Sequence, residues 1–302
     1  MESATFDDRM WRELINDIEQ PLKKILGDLE SIPPVRNKER ILNSILVNKK
    51  LHHSRTSYIN FLKNLVVSGK QREAANNLSL AACLSENLIH DIDNRLDNHS
   101  FGTLDACFLQ AYQLPIVLHT LKFFSENSTK MPLKSSFTLK KVSEKVLFQT
   151  SNFLNEITKM PYYEKVILEP SNMERKKDSL LTIMDIVAGQ SRYFAFLVFA
   201  PLRETGQINN SQYDSLIELS VNVHKIDKLH KDMEDFRVDT EAQRINLYKK
   251  FKDPQVFSTE QLSMLVKDIL HQCKTKSSIF CADTGINEFL LYWETKANEL
   301  LS

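Results

Sequence analysis

Glycine is scarce in this chain of 302 residues, which has six where about 7% is usual. A fold of many tight β-turns would need more, since those turns use residues that adopt positive φ cheaply. Cysteine is scarce too, and Cys83, Cys107, Cys273 and Cys281 show no C-x-x-C spacing. All four are expected to be reduced thiols in a cytoplasmic protein. An excess of charge of either sign is missing: 39 Lys and Arg balance 39 Asp and Glu. No nucleic-acid stripe is expected, because the Lys-Lys pairs at 49, 140, 176 and 249 are dispersed. No run reaches the 18 or so uncharged apolar residues of a membrane span, and the N-terminus "MESATFDDRMWRELINDIEQ" carries no signal-peptide core. No transmembrane segment is expected. The signatures G-x-G-x-x-G, P-loop, G-x-S-x-G and H-E-x-x-H are all absent.

What is present is helical periodicity. Trp11, Leu14, Ile15, Ile18, Leu22, Ile25, Leu26 and Leu29 form one stripe, which Pro21 is expected to kink or split. Further helices are expected near 36–48, 55–67, 71–98, 103–126, 138–159, 174–204, 208–237, 240–251, 258–274 and 284–301. Ser258 with Gln261 has the spacing of a capping box. "RYFAFLVFAPL" reads as a buried helix, and Gly206 as a turn after it. Hydrophobic residues at 42% allow a sizeable core, and no linker is long enough to force a division. The fold class is therefore all-α, with one domain over 1–302.

Two acidic helix segments carry the functional signal. In "ENLIHDIDNRLDN" Asp93 and Asp97 are i and i+4 on one face, with Asn94 between them. Asp91 lies about 160° away from Asp93. Leu88 and Ile89 come about one turn earlier and are apolar. In "KIDKLHKDMEDFRVDTEAQRINLY" Asp232, Asp235 and Asp239 share a face if the helix continues that far, and Asp227, Lys231 and Asp235 share an overlapping one. Paired carboxylates on a helix face can hold Mg²⁺, which takes a few carboxylate oxygens together with waters and substrate phosphates. The adjacent His52 and His53 point about 100° apart on a helix and make no metal pair.

The two segments resemble the aspartate-rich motifs of the class I isoprenoid synthases, the trans-prenyltransferase and terpene synthase superfamily. The family's first motif is D-D-x-x-D, and this chain has Asp93-Asn94-Arg95-Leu96-Asp97 after "CLSENLIHDI". In a second frame Asp91 and Asp97 are the outer aspartates of D-D-x-x-x-x-D, with Ile92 in place of the second. The second motif, D-D-x-x-D-x-x-x-D, is matched by Lys231-Asp232-Met233-Glu234-Asp235-Phe236-Arg237-Val238-Asp239, followed by Arg244. The motif starts at 93 and 231 lie 138 residues apart, similar to the family's separation. The likeness covers roughly 70–250. It departs at Asn94 and Lys231, and in having no Arg-Arg pair after the first motif. Gln190-Ser191 stands where the family has Lys-Thr, and Lys49, Lys50 and Arg55 are the nearest equivalents of its early Gly-Lys-Arg loop.

The resemblance implies a helical bundle of the isoprenoid synthase type with a central cavity. It implies a Mg²⁺-dependent transferase that ionises an allylic prenyl diphosphate, followed either by chain elongation with isopentenyl diphosphate or by cyclisation. Asp93, Asn94 and Asp97, with Asp91, would hold one part of the metal cluster, and Asp232, Asp235 and Asp239 the other. Arg192, Lys231, Arg237 and Arg244 would grip diphosphate oxygens. Leu88, Ile89, Phe196 and Phe199 would wall the pocket. The family also allows a non-catalytic partner subunit of the same fold, and a homodimer or heterodimer. An unrelated helical interaction module is the reading outside the family.

Overall fold

The computed structural model of the protein describes residues 5–28, 55–98, 113–127, 140, 143–153, 155, 159, 162–163, 173–241, 246–280 and 284–302. Among the described residues the regular structure is helical throughout, with no strand. The elements are α1 (Phe6–Asp28), α2 (Arg55–Val66), α3 (Gly69–Asn98), α4 (Gln113–Asn127), α5 (Met173–Glu204), α6 (Asn210–Glu234), α7 (Phe236–Glu241), α8 (Leu247–Phe251), α9 (Thr259–Ser277), a 3₁₀ turn (Ser278–Phe280) and α10 (Thr284–Glu299). Residues 143–153 are helical as well. The helix expected near 36–48 lies outside the described residues. Two compact units emerge: the first comprises 1–147 and 194–213, the second 148–193 and 214–302.

In the first unit α1 starts where Thr5 Oγ1 accepts the Asp8 N–H at 3.2 Å and where Asp7 and Asp8 meet the positive end of the helix dipole. Met10, Leu14, Ile18 and Leu22, four residues apart, are all buried. The helix runs continuously through Pro21, although proline leaves the carbonyl four residues back without its helical donor. The packing of α1 against α2 and α3 compensates; α2 also packs on α3, and α3 on α4. Tyr58, Leu62, Leu78, Ala82, Leu121 and Phe124 of these helices are buried.

That core encloses charge. Asp17 of α1 accepts from Asn60 Nδ2 at 3.0 Å and Asn64 Nδ2 at 2.9 Å. Lys63 Nζ, fully buried, lies 3.4 Å from Asp17 Oδ2 and donates to Asn76 Oδ1 at 2.6 Å. The last third of α5, from Phe194, belongs to this unit, and Phe194, Leu197, Val198 and Phe199 are all buried there. Gly206 closes the helix at φ +71°, a left-handed value that glycine takes without a Cβ penalty, while Gln207 N–H returns to the Leu202 carbonyl at 2.8 Å.

In the second unit Leu216, Leu219, Val223 and Ile226 of α6 are buried. The expected capping box opens α9: Ser258 Oγ accepts the Gln261 N–H at 3.1 Å, and Gln261 Oε1 accepts the Ser258 N–H at 3.0 Å. Val266, Ile269 and Cys273 of α9 are buried, as are Phe289 and Trp293 of α10, and the two helices pack together. One helix among the described residues, α5, is long and apolar enough to cross a membrane, and 78% of its apolar window is buried inside the protein.

Candidate functional site: the acidic helix segments

The first acidic segment ends α3, a helix of 30 residues. Asp91, Asp93, Asn94 and Asp97 all stand on its last turns, and Leu88 and Ile89 just before them; their side chains lie outside the described residues. One turn upstream, Glu86 is buried. It accepts from Thr56 Oγ1 at 2.5 Å and from Arg55 Nε at 3.1 Å. Arg55, a distant candidate for diphosphate contact, is thus built into the α2–α3 packing.

The second segment departs from the single face that its spacing suggests. Helix α6 stops at Glu234, Asp235 forms a turn, and α7 begins at Phe236. Asp232 therefore ends one helix while Asp239 stands on the next. The reason for the break is a set of bonds from Asn246 and Leu247, which flank the start of α8. Asp232 is buried. One of its carboxylate oxygens takes the Leu247 N–H at 2.8 Å and the other takes Lys228 Nζ at 2.6 Å. Asn246 Nδ2 donates to the Asp232 carbonyl and to Asp239 Oδ2 at 2.8 Å. Asn246 Oδ1 then caps α8 by accepting the Lys249 N–H at 2.9 Å. Burial pushes the Asp232 carboxyl above its ordinary value, and the Lys228 ammonium and the Leu247 N–H only partly oppose it.

A magnesium ligand offers a carboxylate oxygen to the metal. Both oxygens of Asp232 are already accepting bonds, one Asp239 oxygen accepts from Asn246, and Asp235 is exposed at the helix break. These bonds hold Asp232 and Asp239 in the packing around the start of α8. Among the described residues no group of three or more His, Cys, Asp or Glu is placed to hold a metal ion.

The cations are distributed in a similar way. Lys231 Nζ lies 3.6 Å from Asp227 Oδ2, the pairing its i, i+4 spacing allows. Arg237 is exposed, and Arg244 lies outside the described residues. Arg192 pairs with Glu218 at 3.1 Å and lines a cleft of about 610 Å³ in the second unit, along with Gln190 and Tyr193. Phe196 and Phe199 are buried in the core of the first unit. Asn246 and Lys228 escaped the sequence reading. The signal for Asn246 was its place as a capping residue before the apolar-basic turn "LYKKF", and for Lys228 its i, i+4 relation to Asp232.

No protein-family model matches this chain, and no curated protein is similar enough to it to count as a relative.

Proposed function

We propose that this chain is a non-catalytic helical relative of the class I isoprenoid synthases, acting as the partner subunit of an active synthase. The observation that carries the reading is the Asp232 carboxylate, which ties α6 to α8 through Leu247 and to Lys228. Lys231 in place of the family's leading aspartate supports it, because its ammonium sits near Asp227 and adds positive charge where the family gathers metal. The all-α class and the position of each acidic segment at the end of a long helix are consistent with the family's architecture.

A second reading has its own support. Asp93, Asn94 and Asp97 stand on α3 with the spacing of a metal-binding turn, and the interval of 138 residues to the second segment is similar to the family's. On that reading the chain is a Mg²⁺-dependent synthase acting on an allylic prenyl diphosphate. Incubation with geranyl, farnesyl and geranylgeranyl diphosphates in Mg²⁺, with and without isopentenyl diphosphate, separates the two. The partner reading expects no diphosphate release from this chain alone, and a changed rate or product length when it is mixed with an active synthase. Release by the chain alone overturns it in favour of catalysis. A mixture indistinguishable from the active synthase by itself overturns the partner role.

A further inference from the structure

The cleft in the second unit has a chemistry of its own. Its volume of about 610 Å³ falls in the range of small-molecule sites. Four segments that are distant in sequence wall it: the helical stretch around Gln149–Phe153, the middle of α5 from Thr182 to Tyr193, α6, and Gln272 of α9. Its four charged side chains cancel in pairs. Arg192 binds Glu218 at 3.1 Å, and Lys225 Nζ binds Asp185 Oδ1 at 2.8 Å. An anionic ligand would have to break one of these pairs, so the cleft is matched to an uncharged molecule.

The remaining polarity is mostly amide, from Gln149, Asn152, Gln190, Asn222 and Gln272, with the hydroxyls of Thr182 and Tyr193. Asn222 is the decisive one. It is 2% exposed, it faces the cleft, and its Nδ2 has no hydrogen-bond partner. A buried donor left without an acceptor is costly, and such groups in folded proteins usually find a partner. An acceptor atom on a bound molecule would be that partner. Beside it, Phe153 and Tyr193 stack at 4.5 Å and 13°, and Tyr193 is held in place by Thr150 at 3.0 Å. Asn and Gln side chains pair well with flat rings that carry adjacent donors and acceptors, as they do with adenine.

We propose that this cleft binds an uncharged, flat, amide-like heterocycle of the nucleobase class, with its acceptor on Asn222 Nδ2. The site is independent of the prenyl diphosphate reading, since it needs neither acidic segment. Isothermal titration of the full chain with adenosine and with uridine tests it. At least one should bind, and Asn222→Ala should weaken that binding by about tenfold or more without lowering the melting temperature, because the native donor has no protein partner to lose. Gly189→Phe is the blocking variant: a Cβ there meets nothing within 4 Å, so the ring can enter the cleft, and binding should be lost. In the unaltered chain the Asn222 side-chain amide resonance should move on addition of the nucleoside. No heat from either nucleoside up to about 1 mM overturns the proposal. So does binding that both variants leave unchanged. Geranyl diphosphate binding that is lost in Arg192→Ala, with no nucleoside bound, would show an anion site instead.

Discussion

At the scale of single residues, Asp232 shows how one side chain can serve stability where its spacing suggests chemistry. The sequence places it on a helix face with other aspartates, and a carboxylate on such a face can bind metal or solvent equally well. In the fold it is buried and accepts from a backbone N–H and an ammonium. Asp232→Ala should therefore lower the stability of the protein by about 1–3 kcal/mol, the cost of leaving the Leu247 N–H without an acceptor. Asp232→Asn keeps a carbonyl oxygen for that N–H and should cost less. Urea unfolding followed by circular dichroism checks both; an Asp232→Ala variant as stable as the parent would remove the tie between α6 and α8.

At the scale of elements, the long amphipathic helices were legible, because their apolar residues recur every three or four positions and nothing else in the chain competes for that pattern. The expected 174–204 became Met173–Glu204, and 71–98 became Gly69–Asn98. Ends were legible where a local motif marks them. Ser258 and Gln261 form their capping box within four residues of chain, so Ser258→Ala should lower stability by about 1 kcal/mol, read as a lower thermal midpoint. An unchanged midpoint would mean that α9 holds its first turn without the cap. The break at Asp235 was not legible: Asn246 and Leu247, which cause it, come from beyond the next helix. Pro21 misleads in the opposite direction, since its local rule is outweighed by the packing of α1 on α2 and α3.

At the scale of the whole molecule, the Asp17–Lys63 network links stability to pH. Burial raises the Asp17 carboxyl, but Lys63, the amides of Asn64 and Asn60, and Arg72 together hold it below its ordinary value of 3.8. A lowered carboxylate contributes stability that is present above pH 3.8 and is lost as pH falls through the folded value. Lys63 moves the other way. Burial pushes its ammonium down to about 8, against the opposing pull of Asp17. Between about pH 8 and 10.5 the unfolded chain binds more protons at this residue than the folded chain, so the contribution of Lys63 to stability rises with pH across that window. Urea midpoints measured from pH 7 to 10.5 should show that rise, and Lys63→Met should flatten it; a slope that the substitution leaves intact would assign the effect to another group.

The sequence by itself determined the all-α class, the extent of the long helices and the cap of α9, because each follows from contacts within a few residues along the chain. It also brought the two acidic segments to notice, through composition and spacing. Only the tertiary structure decided which partners the buried carboxylates of Asp232 and Asp17 take. Asp232 meets Leu247 across 15 residues and Asp17 meets Lys63 across 46. The cleft around Asn222 draws on residues from Gln149 to Gln272. A carboxylate's partner is set by what folding brings within about 3 Å of it, and no periodicity along the chain records that.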